Sequence, residues 1–151
     1  MSNDDIVDTL NDLIETSKDG EHGFRASAEY LKDPAIQQSF VRRAEECREA
    51  AAELQALVVR FGGKAEDSGT AVGAMHRGWV AVKGTLAGYT DKAILEETER
   101  GEDTALASYR KALEKPLPPD VRNVVERQFE GVKRNHSQVR TWRDQARATA
   151  A

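Results

Sequence analysis

The stretch ILEETERGEDTALASYRKAL, residues 94–113, sets carboxylates among apolar side chains that recur every three or four residues. The apolar members follow the spacing of one face of an α-helix: Leu95, Leu106, Tyr109 and Leu113. Glu99 and Glu102 fall on the same stripe, where a core is expected. Burying a carboxylate without a partner is unfavourable, so we expect another charged or polar group to share the site with these two glutamates.

The same periodicity predicts five helical segments and no strand. They run over residues 4–32, 34–61, 71–88, from Thr90 or Asp91 to Glu114, and from Pro118-Pro119 into the alanine-rich tail. Proline favours the first turn of a helix and disfavours helix in the residue before it, so Asp33-Pro34 separates the first two segments. Gly62-Gly63, a polar loop over 63–70 and the run KPLPP at 115–119 mark the other breaks.

Four of the predicted helices are long, about 36–45 Å at 1.5 Å per residue, and similar lengths favour a four-helix bundle. Tight connections make helices one and two, and the last two long helices, antiparallel neighbours. The 71–88 segment is long enough to carry the chain back along the bundle, as a crossover that makes the second and third long helices parallel. The alternative is one kinked helix over 71–114 in an up-down-up-down bundle, and Gly88 and Thr90 favour the break.

Length and composition favour one domain over residues 1–151, with 39% hydrophobic and 32% charged residues. The net charge of −4 argues against a nucleic-acid partner. No apolar run approaches the roughly 20 residues that span a membrane, and the acidic start MSNDDIVDTL is unlike a signal peptide, so we expect a cytoplasmic protein. Cys47 is the single cysteine, which fits a reducing compartment, and its apolar neighbours predict a core residue rather than a reactive thiol.

Acidic and imidazole side chains recur near the middle of all four long helices, and together they predict a metal site. A single carboxylate near a core is commonly a surface residue, but several at one depth cannot all ionise unless cations intervene or some stay protonated. A bound divalent metal is the simplest way to neutralise them. Glutamate oxygens and an imidazole nitrogen suit iron, manganese or zinc, and we favour iron or manganese. The candidate ligands are Glu21, Glu46, Glu99, Glu102 and His136.

Four sequence features resemble an uncharacterised bacterial four-helix-bundle family of the ferritin-like superfamily. They are GEHGF at 20–24, HRGWVAVK at 76–83, ERGED at 99–103 and the single histidine of the last helix, and the similarity extends over roughly residues 5–145. The resemblance implies an all-α, ferritin-like four-helix bundle, and the length of the 71–88 segment adds a short crossover helix between the second and third long helices. It implies no established activity.

The sequence departs from the two-metal pattern of that superfamily, which uses one glutamate on each of two helices and Glu-x-x-His on the other two. Glu46-x-x-Glu49 and Glu99-x-x-Glu102 end in glutamate, and Lys133 lies three residues before His136. A carboxylate-rich site for one or two ions with one imidazole is one interpretation. A hydrogen-bonded polar network without metal is the other.

Two functional hypotheses follow. The first is a metal-binding bundle that sequesters iron or manganese or performs stress-related redox chemistry with oxygen or peroxide. The second is a non-catalytic structural or protein-interaction module, which forms a homo-oligomer or docks a partner through an exposed helix face. Nucleophilic triads, paired cysteines and the phosphate-binding GxxxxGK[ST] motif are absent from the sequence, so enzymatic chemistry other than metal-based chemistry has no support.

Overall fold

The computed structural model describes residues 1–67 and 90–150, and these residues form four long helices. The helices are α1 (Asn3–Ala28), α2 (Pro34–Arg60), α3 (Asp91–Leu113) and α4 (Pro119–Ala150). Within these two ranges there is no strand, which confirms the predicted all-α class. The predicted crossover helix lies outside the described residues.

Side-chain caps fix where three of the helices begin. Ser2 accepts a hydrogen bond from the Asp5 backbone N at 3.1 Å, Asp33 accepts from the backbone N of Ala35 at 2.9 Å, and Thr90 accepts from that of Ala93 at 3.1 Å. Each bond satisfies an amide that has no partner inside the helix. The predicted helix starts at Pro34 and near Thr90 are therefore confirmed.

The first helix ends earlier than the periodicity predicts, at Ala28 rather than near residue 32. The cause is a contact that is distant in sequence. The carboxylate of Asp91 accepts hydrogen bonds from the backbone N of Lys32 at 2.8 Å and of Asp33 at 3.0 Å. Because these two amides bond to the start of α3, the chain leaves the helix before the proline and turns into α2.

Inter-helix hydrogen bonds and ion pairs fix the directions of the helices. Antiparallel packing of α1 and α3 follows from three hydrogen-bonded pairs: Lys32 with Asp91, Ser17 with Tyr109, and Thr9 with Lys115. Antiparallel packing of α4 against both α2 and α3 follows from four others: Arg60 with Asp120, Glu53 with Arg127, Tyr109 with Gln128, and Glu102 with Asn135.

Since α4 is antiparallel to both α2 and α3, the second and third helices run parallel. This arrangement confirms the bundle with one long crossover connection and rules out the up-down-up-down alternative.

The apolar interior is divided into two parts, which we call the first core and the second core. The first core contains Leu10, Leu54, Leu106 and Val121 and lies at the end where α4 begins. The second core lies at the other end and contains Phe24, Phe40, Leu95 and Val139, with the two phenylalanine rings edge to face at 5.2 Å. Buried polar residues, among them Ser17, Glu21, Glu102 and Gln128, lie at intermediate heights in the bundle.

Removing the Asp91 carboxylate should destabilise the fold, because it leaves two backbone amides at the α1–α2 connection without their acceptor. We expect Asp91→Ala to lower the free energy of unfolding by about 1 kcal/mol, the net value of hydrogen bonds at a solvent-accessible site. Urea unfolding followed by circular dichroism measures the change. Lys92→Ala, an exposed neighbour in the same helical turn, is the control, and equal losses in the two variants would contradict the assignment.

Candidate metal centre

Two acidic residues of α3 and one histidine of α4 meet along the seam between these helices. Glu99 and Asp103 are four residues apart, so they lie on one face of α3, and His136 lies opposite on α4. One potential ligand atom from each residue lies within 4.8 Å of the other two. In the described ranges, this is the one group of three acidic, cysteine or histidine side chains with such spacing.

The histidine is held by a direct contact with a carboxylate. His136 Nε2 lies 2.7 Å from Asp103 Oδ1, a hydrogen bond when the imidazole is neutral and an ion pair when it is protonated. The His136 side chain is 15% exposed, whereas that of Asp103 is 62% exposed. The group is therefore anchored at the seam and open to solvent on the Asp103 side.

An arginine already balances the charge of Glu99. Arg143 donates a hydrogen bond from Nη1 to Glu99 Oε2, and both side chains are mostly buried. The same guanidinium holds Asp144 Oδ1 through Nη2 at 2.8 Å and through Nε at 3.2 Å. Glu99 therefore has a cationic partner within the protein, and that partner has a second carboxylate beside it.

Glu102 points away from this group and into the bundle, where it is 4% exposed. Its Oε2 atom accepts a hydrogen bond from Asn135 Nδ2 at 2.7 Å, and its buried Oε1 atom has no partner among the residues that the structure describes. Burial raises the pKa of Glu102 to about 7, and the negative charges of Asp103 and Glu99 add to this rise. The hydrogen bond from Asn135 and the charge of Arg43 act in the opposite direction.

The other two predicted ligands lie elsewhere, on α1 and α2. Glu21 is buried, with ion pairs to Arg25 at 2.8 Å and Lys18 at 3.7 Å. Glu46 is half exposed, with Arg43 at 3.8 Å. The structure thus brings together Glu99 and His136 of the five predicted residues, sets Glu102 beside them, and places Glu21 and Glu46 outside the group.

Sequence reasoning missed three residues of the seam: Asp103, Asn135 and Arg143. The apolar periodicity of the helix predicts Glu102 because this residue continues the apolar face, whereas Asp103 lies on the neighbouring face. The signal was nevertheless present in the spacing. Asp103 follows Glu99 by four residues and Arg143 follows His136 by seven, and both intervals keep side chains on one side of a helix.

Cys47 is a buried core residue with a free thiol, which confirms its prediction. Burial raises the pKa of this thiol to about 11, so it stays protonated and unreactive near neutral pH. Its Sγ atom lies only 2.9 Å from where a Cβ atom would stand at Gly20. Glycine at that position therefore lets α1 and α2 approach closely.

The four helices are joined with one long crossover connection, and polar residues lie buried in the interior between the two apolar cores. This arrangement is that of a ferritin-like four-helix bundle. The model of a protein family described as a domain of unknown function (DUF2383) matches residues 5–115. The chain belongs to this family, and no curated protein matches its sequence.

Solved structures of Dps proteins from Mycobacterium smegmatis share this fold. A mutant of Dps1 has a TM-score of 0.75 and 14% identity, and the match covers 93% of this chain and 96% of that chain. Dps in a tetragonal form has a TM-score of 0.74 and 14% identity, with coverage of 92% and 86%. At this identity the likeness shows the fold alone. Among the described helices, none has the length and apolarity that a membrane span requires.

Replacing Glu102 by glutamine should change how the stability of the protein depends on pH. A pKa raised from 4.5 to about 7 means that the folded protein binds this proton more tightly than the unfolded chain. The contribution of Glu102 to stability is therefore fully present below about pH 4.5 and is lost as the pH rises to about 7. Glu102→Gln keeps an acceptor for Asn135 but cannot ionise, so it escapes this loss.

We expect Glu102→Gln to be more stable than the wild type at pH 8, by up to roughly 3 kcal/mol, and to lose this advantage at pH 4. Urea unfolding of both proteins in EDTA, repeated across this pH range, measures the difference. A difference that stays constant from pH 4 to pH 8 would refute the role assigned to the carboxyl group.

Proposed function

We propose that the protein binds one divalent transition-metal ion, iron or manganese, between Glu99, Asp103 and His136, and that it sequesters this metal. The observation that supports the proposal is the convergence of two carboxylates and one imidazole from two helices within 4.8 Å. Oxygen and nitrogen donors of this kind are the ligands that iron and manganese take in proteins. This site uses Glu99 and His136 from the predicted set and adds Asp103.

The donor atoms need only a small rearrangement to hold an ion. Ligand atoms at about 2.0–2.2 Å from one ion lie up to about 4.4 Å apart, close to the spacing of the three groups. Asp103 Oδ1 and His136 Nε2, at 2.7 Å, would exchange their shared hydrogen bond for bonds to the ion. Asp103 is exposed, so this side of the site gives access for uptake and release.

Arg143 would have to yield the Glu99 carboxylate when the ion binds, since a guanidinium and a divalent cation compete for the same charge. Arg143 Nη2 already lies 2.8 Å from Asp144 Oδ1, so the guanidinium can keep this ion pair when it leaves Glu99. Glu102 lies behind the site without being one of its three ligands, and adds negative charge when it is ionised. In this proposal, the exchange of Arg143 between two carboxylates accompanies metal uptake.

Bound iron or manganese would supply reversible one-electron chemistry, which connects sequestration with stress-related reactions of oxygen or peroxide. The ferritin-like fold supports this role only in the general sense that such bundles place metal sites among facing helices. The three-ligand site differs from the two Glu-x-x-His motifs of that superfamily, so we propose binding of a single ion. We also place the protein in the cytoplasm and keep a homo-oligomer as a prediction, which light scattering would test.

Variants of the ligands should weaken metal binding. We expect His136→Ala and Asp103→Ala each to reduce the affinity for Mn²⁺ or Fe²⁺ by about tenfold or more, because each removes one of three donors. Isothermal titration calorimetry on protein stripped with chelator measures the affinity. Adding metal should also raise the melting temperature of the wild type, and the variants should lose most of this increase.

His22→Ala is the matched control, since His22 is an exposed histidine on α1, outside the group. Equal weakening by His22→Ala and His136→Ala would count against the site. A wild type that binds neither metal would defeat the proposal and leave the interaction-module hypothesis in its place.

The competition at Glu99 gives a second test of the same site. We expect Arg143→Gln to raise the affinity for Mn²⁺ by about threefold to tenfold, because the ion no longer has to displace a guanidinium from the carboxylate. Arg140→Gln removes an equal charge from an exposed position on the same helix and is the control. A fall in affinity with Arg143→Gln would show that the arginine supports the site instead of competing for it.

A further inference from the structure

A cavity of about 1050 Å³ lies between the four helices and is partly open to solvent. Its wall includes apolar side chains from both cores and buried polar groups, among them Leu13, Phe24, Val132, Tyr109 and Gln128. Glu99, Asp103 and His136 do not line it, so it is a separate feature from the metal centre. Its size and mixed wall are those of a site for a small organic molecule.

Glycine leaves part of this cavity open. Gly23 lines the cavity, and a Cβ atom at this position would meet no atom of residues 1–67 and 90–150 within 4 Å. Gly131 also lines it, and among the same residues a Cβ atom there would reach only the ends of two arginine side chains, at 3.7 Å. Glycine inside a helix is less stable than alanine, and close packing of the described helices does not require either of these two. Larger side chains at these positions would extend into the cavity.

Two buried polar atoms in the described part of the chain have no hydrogen-bond partner, and both belong to residues that line the cavity. They are Glu102 Oε1 and Arg43 Nε. No hydrogen bond or ion pair is formed between Glu102 and Arg43. Leaving a buried polar atom without a hydrogen bond is unfavourable, so a molecule that supplies the missing partners gains affinity here.

The charges of the wall favour an uncharged occupant. Its described lining carries both signs in similar numbers, eight acidic and six basic residues, and those from α2 and α4 are Glu46, Glu49, Glu53, Arg43, Arg127 and Arg134. An anionic ligand would be attracted by Arg43 and repelled by the glutamates. A cationic ligand would be attracted by the glutamates and repelled by Arg43. A neutral head group avoids both penalties if it can accept a hydrogen bond from Arg43 Nε and form another with the Glu102 carboxyl group.

We propose that this cavity binds a small uncharged organic molecule, with an apolar body and a carboxamide-like head group that both donates and accepts hydrogen bonds. The apolar body packs against Leu13, Phe24 and Val132. The carbonyl oxygen of the head accepts from Arg43, and its N–H group pairs with Glu102. The site does not require metal at the Glu99–Asp103–His136 group, so the two proposals stand or fall separately.

Three naphthalene probes that differ only in the head group test the proposal: 2-naphthamide, 2-naphthoate and 2-(aminomethyl)naphthalene. We expect 2-naphthamide to bind metal-free protein with one-to-one stoichiometry, about tenfold more tightly than the two charged probes, by isothermal titration calorimetry. Gly23→Leu fills the cavity and should abolish this binding. His22→Leu adds the same side chain at the exposed neighbouring position and should not.

Arg43→Met is a second variant, which removes the donor while keeping much of the side-chain volume, and we expect it to weaken 2-naphthamide binding by about tenfold. If circular dichroism shows that Gly23→Leu does not fold, Arg43→Met alone tests whether the cavity is the binding site. Tighter binding of either charged probe would overturn the assignment of a neutral ligand. Failure of all three probes to bind the wild type, or binding that survives Arg43→Met unchanged, would overturn the site itself.

Discussion

The cost of burying a carboxyl group governs the middle of this bundle. Glu102 is almost fully buried, with one oxygen held by Asn135 and the other without a hydrogen-bond partner in the two described ranges. Burial raises its pKa to about 7. Ionised Glu102 is therefore less stable in the folded protein than in the unfolded chain, and near neutral pH this difference lowers the stability of the fold. An all-apolar layer at this height would avoid the cost.

Glu102 also connects the two proposed sites. Through Oε2 it touches Asn135, the residue next to His136, and through its side chain it lines the central cavity. The negative charges of Asp103 and Glu99 are among the causes of its raised pKa. A cation held by those two residues, as we propose, would offset their charge and favour the ionised form of Glu102. Metal at the seam would thereby alter the hydrogen-bonding capacity of the cavity wall.

The fold could be predicted because its determinants are local. Proline and glycine positions gave the helix boundaries to within a few residues, and the apolar period gave the buried faces. The exception at the end of α1 is instructive, since the amides of Lys32 and Asp33 bond to Asp91, which is distant in sequence. A hydrophobic pattern carries no information about which carboxylate will cap a turn from another helix.

The candidate site was harder to predict, because it depends on how α3 and α4 are rotated against each other. Equal depth along the bundle suggested that all five predicted ligands would meet, yet depth alone does not fix the direction of a side chain. A rotation of 100° per residue separates Glu102, which faces the interior, from Asp103, which faces the seam. Glu21 and Glu46 have cationic neighbours on their own helices, Arg25 and Arg43, which satisfy their charge locally. A carboxylate without such a neighbour on its own helix is the one that needs a partner from elsewhere, and Glu99 and Asp103 both find theirs on α4.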